Sequence, residues 1–273
     1  MITINLIGGG RVGQTLGRLL AQSGCHQVQD IVTRHPASAK VCVDFIGSGR
    51  PVTDMAVMQP ADLWMLAVPD RQIAPVAAAL ASLPVAKKAA LAFHCSGALA
   101  ATELKPLKNQ GWHIASAHCL LSFAQPAVAL AQFAGTPCAL EGDDAARLEL
   151  RNLFGKLGAQ CFDLASADKL LYHAGAVFAT NFLPVLQDLA EQLWQRSNMP
   201  PELAKQMRAR LLHNAVNNFI ELGPQAALTG PAARGDHALV TQQGQAVTDW
   251  DANAGAAYGA LSALAQQLAK RVH

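Results

Sequence analysis

The chain has 273 residues, enough for one large domain or two of ordinary size, and 51% of them are apolar, enough for a substantial core. The formal net charge of +2 and the lack of a basic run argue against nucleic-acid binding, and no apolar run of membrane-spanning length is free of polar residues. Met1 leads straight into an apolar segment with no charged stretch and signal-like core, so a cytoplasmic location is expected. The six cysteines (Cys25, Cys42, Cys95, Cys119, Cys138 and Cys161) show no C-x-x-C pair and no metal spacing. They are expected to be reduced thiols, commonplace in buried positions, with Cys95 and Cys119 the candidates for a reactive one.

Short apolar runs and helix-like stretches alternate through the first 160 or so residues, the pattern of a mostly parallel, doubly wound sheet. Strands are predicted over 2–7, 28–33, 63–68, 89–94, 112–117 and 136–140, with helices over 11–23 and 71–82. Pro137, near the start of the last of these strands, suits an edge position. Asp70 is placed to cap the 71–82 helix. From about Ser166 strands give way to long helices, predicted over 167–196, 202–222 and 252–272. Pro184 should kink the first, and Pro201 suits the start of the second. Residues 223–244, rich in glycine, proline and charge, are expected to be a connection or a site loop. The predicted organisation is an α/β Rossmann domain over 1–163 and an all-α domain over 164–273.

Gly8, Gly10 and Gly13 satisfy G-x-G-x-x-G between the first strand and the first helix. Gly8 permits the tight turn, Gly10 lets backbone approach a pyrophosphate, and Gly13 lets helix pack on strand. The helix N-terminus then offers free N–H groups and its dipole to phosphates. The loop around Gly8, Gly10, Arg11, Val12 and Gly13 is therefore expected to hold a nicotinamide dinucleotide. The second strand ends in Thr33-Arg34 rather than in an acid, and Asp30 comes too early to reach a ribose 2′-hydroxyl. A hydroxyl and a guanidinium suit a 2′-phosphate, which points to NADP(H). Ala67, Val68 and Pro69 follow a central strand at its carboxyl end, where open α/β sheets bind ligands.

With LIGGGRVGQTLGRLL, LAVPDRQI, FHCSGALA, SAHCLLSF, KLLYHAGAVFATNF and ALTGPAARGD in place, the chain resembles the 6-phosphogluconate dehydrogenase-like superfamily. Within it, the chain is similar to the Rossmann-like NADP oxidoreductases with an uncharacterised helical C-terminal domain. The resemblance implies a helical second domain of the 6-phosphogluconate dehydrogenase-like type. SAHCLLSF departs from the family's His-Pro-Leu pattern, since Cys119 stands where proline is usual, but His118 keeps its position. Hydroxyacid dehydrogenases of the superfamily use a lysine as acid/base and an asparagine one helical turn later to hold substrate. The matching positions here are Lys169 and, four residues on, His173 in place of asparagine, with Asn181 eight further along.

Lys169 and His173 share one helical face, whereas Asn181 drifts to its side. His173 can itself donate a proton, its ordinary pKa being near neutral; Lys169 then acts electrostatically or pairs with a substrate carboxylate. Ser96-Gly97 resembles the superfamily's Ser-Gly substrate loop, whose hydroxyl and N–H groups receive an anion or carbonyl oxygen. His94 and His118 end strands at the sheet's carboxyl edge and are candidate substrate contacts. Arg234, in the loop LTGPAARGD at 228–236, either clamps a carboxylate or phosphate or pairs with Asp236.

These residues imply an NADP-dependent oxidoreductase acting on a small carbonyl, hydroxy or imine compound held between the domains. Alternatives are hydride transfer between NADP and a deazaflavin, or a non-catalytic dinucleotide-binding scaffold. The alanine- and leucine-rich helices predict a homodimer.

Overall fold

Six residues, ITINLI, run into three glycines and form the central strand β1 (Ile2–Ile7), buried over its last four positions. The structure is a computed structural model that describes residues 1–271. The further strands are β2 (His26–Val32), β3 (Arg50–Val52), β4 (Leu63–Leu66), β5 (Leu91–His94), β6 (His113–Cys119), β7 (Pro137–Gly142) and β8 (Gln160–Asp163). They make one sheet in the order β3-β2-β1-β4-β5-β6-β7-β8, parallel except where β6 meets β7. The first six in that order follow the doubly wound arrangement, with the reversal point between β1 and β4.

Helices α1 (Arg11–Gln22), α2 (Pro36–Ile46), α3 (Asp70–Ala81), α4 (Lys105–Lys108), α5 (Pro126–Ala131), α6 (Asp144–Lys156) and α7 (Lys169–Ala176) accompany the sheet. Buried residues form two apolar cores. One holds Leu16, Leu20, Ile31, Met65, Phe93 and Phe154; the other holds Ile7, Trp64, Leu66, Ile73, Leu104 and Trp112. The chain divides into two compact units, Met1–Thr180 and Asn181–His273. The first unit runs past the expected boundary at 163/164 and takes in α7, whose Lys169 and Tyr172 contact the sheet as described below. The second contains α8 (Phe182–Arg196), α9 (Pro201–Ala227), α10 (His237–Trp250) and α11 (Ala252–Ala269). No helix among the described residues is long and apolar enough to cross a membrane.

Several local expectations are corrected. Pro137 opens β7, an interior strand between β6 and β8; as the first residue it needs no amide of its own, and its carbonyl accepts from Leu120 N–H at 2.8 Å. Pro69, not Asp70, is the N-cap of α3, so Asp70 lies in the first turn, where its charge faces the helix dipole. The predicted 167–196 helix is interrupted by a π-helical turn at Val177–Asn181, just before Pro184, which has no N–H to donate backward. The predicted 223–244 connection is shorter: α9 continues to Ala227 across a bend at Gly223 (φ 77°) and Pro224, and α10 begins at His237. The predicted last helix ends at Ala269, and Val272, its expected end, lies outside the described residues.

Candidate functional site

The turn after β1 and the turn after β4 meet at the reversal point of the sheet. Gly8 has φ +104°, and a Cβ there would sit 2.3 Å from the carbonyl oxygen of Ala67. A Cβ on Gly13 would lie 2.3 Å from the carbonyl oxygen of Gly8. Both positions are closed to side chains by backbone, which is why the loop packs against β4. Gly10 differs, since nothing lies within 4 Å of a Cβ built there. It caps α1 without a side chain, so the N–H groups of that helix open onto free space.

That space is the end of a groove of about 490 Å³, in the range of small-molecule sites. Its lining includes Gly8, Gly9 and Gly10 from the glycine loop, Thr33 and Arg34 from the end of β2, and Ala67, Val68 and Pro69 beyond β4. Arg11, Val12 and Gly13 were expected beside them and do not line it; Arg11 is exposed and Gly13 is buried in the packing of α1. Thr33 turns its hydroxyl onto the carbonyl of His35 at 2.7 Å and so shapes the loop. Arg34 is exposed, with no ion pair or side-chain hydrogen bond among the described residues. Asp30 is withheld from the groove: it is buried in β2, accepts from Arg50 at 2.7 and 3.0 Å, and from the Gln59 N–H at 2.7 Å.

The far wall, with Thr53, Asp54, Met55, Gln72 and Val76, was not foreseen. Three of these residues follow β3, a three-residue strand too short to leave a periodic signal. Asp54 accepts from the Ala56 N–H at 2.8 Å and caps the turn at Met55–Val57. The residues present fit a dinucleotide: a phosphate cradle that a Cβ on Gly10 would fill, and an unengaged guanidinium at the end of β2.

A second constellation lies on the other half of the sheet. His94, Ser116 and Glu141 are register neighbours on β5, β6 and β7, so their side chains share one face. Lys169, at the start of α7, comes down on this row and is 1% exposed. Its ammonium donates to Ser116 Oγ at 2.8 Å and to the Ser96 carbonyl at 3.3 Å, with Glu141 Oε2 at 4.0 Å. Glu141, 4% exposed, also accepts from Ser116 Oγ at 2.9 Å, Ala101 N–H at 2.7 Å and Ser166 Oγ at 2.7 Å. Burial lowers the Lys169 pKa against the opposing charges of Glu141 and Asp70. The lysine expected to face substrate is thus held inside the first unit by two hydrogen-bond acceptors and the Glu141 carboxylate.

The side chain of Ser96 is likewise turned inward, its oxygen accepting from the N–H groups of Ala98 and Leu99 at 3.2 and 3.0 Å. His94 is fully buried; its Nδ1 accepts from Ser96 N–H at 3.2 Å and its Nε2 donates to the Ala100 carbonyl at 3.1 Å. Only the neutral ring with hydrogen on Nε2 meets both partners, and burial pushes the pKa down to about 4.

His118, Ala139 and Phe162 form the next row on that face. Tyr172 from α7 lies edge-on to both rings, with centroids 5.5 Å from His118 and 6.1 Å from Phe162. Its hydroxyl is 2.9 Å from His118 Nδ1. His173 is half-buried, its ring 5.7 Å from that of His118, with no hydrogen-bond partner among the described residues. Gly97 packs against both imidazoles: a Cβ there would come within 2.6 Å of His173 and 2.7 Å of His118. Burial, then His173 and Lys169, push the His118 pKa down to about 4. A small pocket of about 90 Å³ joins His118 to Val12 of the glycine loop, with Cys95, Leu121 and Phe123 among its walls.

Tyr172 was missed in the sequence because its neighbours Lys169 and His173 carried the superfamily pattern. Asn181 is exposed, ends the π turn that follows α7, and opens the second unit. Arg234 is also in the second unit and exposed. Among the described residues it has no ion pair with Asp236, which instead caps α10 by accepting from Leu239 N–H at 3.1 Å.

Comparisons with known proteins agree with this architecture. Residues 1–118 match the model of a Rossmann-like domain, and residues 136–265 match DUF2520, a domain of unknown function. Among solved structures, protein TM1727 from Thermotoga maritima is 24% identical with a TM-score of 0.74, and 98% of each chain is covered. Protein BF3122 of Bacteroides fragilis, provisionally named an NADP oxidoreductase, is 21% identical with a TM-score of 0.76, covering 97% of this chain and 98% of that one. A pyrroline carboxylate reductase from Plasmodium falciparum, solved with NADP bound, is 11% identical with a TM-score of 0.58 over 98% of both chains. No curated protein matches. At these identities the structural likeness shows a shared fold. The chain thus carries a Rossmann-like domain followed by a DUF2520 domain, the two matches together taking in residues 1–118 and 136–265.

Proposed function

We propose that this protein is an NADP-dependent oxidoreductase acting on a small carbonyl, hydroxy or imine compound. The observation that carries the proposal is the groove at the sheet's reversal point, floored by Gly8–Gly10 and flanked by the unengaged Arg34. The free N–H groups of α1 would receive the pyrophosphate, and Arg34 the 2′-phosphate. NADP(H), when bound, supplies or accepts the hydride. His173, half-buried and with no hydrogen-bond partner for its ring among the described residues, would give or take the accompanying proton. Lys169 and Ser96 fix the loop that carries Gly97, and His118 would contact substrate; Asn181 and Arg234, expected from the sequence at a substrate site, belong to the second unit. The names of the solved relatives, among them an NADP-bound reductase, support the same reaction class.

The test is cofactor binding by calorimetry. Arg34→Ala removes a charge-assisted hydrogen bond and should weaken NADPH binding by about 10- to 100-fold while leaving NADH binding unchanged. Equal effects on both cofactors would overturn the assignment of NADP. A protein that binds NADPH but consumes none with a broad panel of carbonyls and imines would be a dinucleotide-binding module instead.

We also propose that the protein is a homodimer formed through its second unit. Among the described residues from 181 onward, only Ala204, Ala254 and Gly255 are buried, and large apolar side chains such as Phe219 (54% exposed) and Ile220 (73%) face outward. Four helices with so little interior need a further surface against which to bury them. Sedimentation should give twice the chain mass of 28.7 kDa, and a monomer at micromolar concentration would contradict the pairing.

A further inference from the structure

One hydrogen lies between Tyr172 Oη and His118 Nδ1, 2.9 Å apart, and it can belong to either atom. If the imidazole donates, the phenol's own hydrogen is left without an acceptor among the described residues, in a half-buried position. An unmade hydrogen bond of that kind is costly. If the phenol donates, the phenol hydrogen and Nδ1 satisfy each other, and the ring hydrogen sits on Nε2, which has no acceptor among the described residues and so is left to offer its hydrogen outward. The second arrangement leaves fewer groups unpaired, and the surroundings hold the two rings where it forms. Ala139 leaves room for the Tyr172 ring between His118 and Phe162, and the edge-on contacts to both hold it in place. Gly97 closes on the Cε1–Nδ1 side of His118, which holds that ring as well.

We propose that Tyr172 is a positioning residue that fixes His118 as the neutral tautomer with hydrogen on Nε2, making that atom a hydrogen-bond donor. Burial first, and then the charged neighbours, keep His118 from becoming a cation. Lys169 and His173 both oppose a positive charge on it, and Asp70 favours one only as the smallest influence. Burial likewise holds the Tyr172 hydroxyl in its protonated form. The two histidines beside Gly97 then differ in kind: His118 is held by the Tyr172 hydroxyl, whereas the His173 ring has no hydrogen-bond partner among the described residues. Resting on the oxidoreductase assignment, this means that His118 would hold a ligand through an acceptor atom, a carbonyl oxygen or imine nitrogen. The tautomer itself is a property of the chain alone.

Two-bond proton–nitrogen correlation spectra of the uniformly ¹⁵N-labelled protein near pH 7 read the tautomer directly, with His118→Gln used to assign the signals. The expected result is a protonated Nε2 and a bare Nδ1 for His118, unchanged down to about pH 5, where an ordinary histidine is mostly charged. Tyr172→Phe keeps the ring and removes the donor, so the His118 pattern should shift towards a mixture of tautomers while His94 keeps its own. A wild-type His118 protonated on Nδ1 overturns the proposal, even if the variant fails to fold. An unchanged tautomer in a folded Tyr172→Phe variant overturns it too. Failure of the oxidoreductase assignment appears separately, as absence of NADPH binding, and leaves these spectra as they are.

Discussion

Lys169→Met should destabilise the protein by about 3–5 kcal/mol, the cost of stranding a buried charge whose partner has been removed. The ammonium and the Glu141 carboxylate are 1% and 4% exposed, and Ser116 bridges them by accepting from one and donating to the other. Methionine fills the same volume but supplies no hydrogen to Ser116 or to the Ser96 carbonyl. Adding Glu141→Gln to Lys169→Met should recover part of the loss, because it removes the stranded charge. The two changes are in contact and should not be additive. Urea unfolding of the three variants measures this. A loss below about 1 kcal/mol for Lys169→Met would mean that the ammonium is not a structural group and would return it to the substrate-facing role of the superfamily lysine.

Gly8→Ala and Gly10→Ala should separate fold from function. At Gly8 the added methyl meets the Ala67 carbonyl at 2.3 Å, and the backbone has φ +104°. Strain of that kind costs about 1–3 kcal/mol before the clash is counted, so a drop of about 2–4 kcal/mol and loss of NADPH binding are expected. At Gly10 the methyl meets nothing within 4 Å, and stability should change by less than about 1 kcal/mol. Cofactor binding should nonetheless fall by about 10-fold or more, because the methyl occupies the space into which α1 directs its N–H groups. Thermal melts with and without NADPH distinguish the cases. A Gly10→Ala protein that keeps its full NADPH-induced stabilisation would place the phosphates elsewhere.

The glycine pattern was legible because each of its roles is local: a tight turn, a close helix and an open helix end all lie within six residues of Gly8. Arg34 was legible for the same reason, being the residue at the end of the second strand. Lys169 shows the limit. Its position in a helical pattern identifies it as a polar residue of interest, but whether it faces solvent or Glu141 depends on a strand 28 residues earlier. Tyr172 reads in the sequence as one more helical aromatic. Its contact with His118 arises because α7 crosses a sheet face on which Ala139 leaves a gap.

By itself, the sequence determines the alternation of strand and helix, the Rossmann-like start and the change to helices in the second half. Hydrophobic periodicity and turn chemistry are properties of neighbouring residues, and short-range sterics enforce them. The order of eight strands, the interior place of Pro137, the burial of Lys169 and the pairing of Tyr172 with His118 were decided only by tertiary structure. Each depends on which residues from distant strands share a face. That pairing follows from the sheet register, in which a shift of one residue would send every one of these side chains to the opposite side.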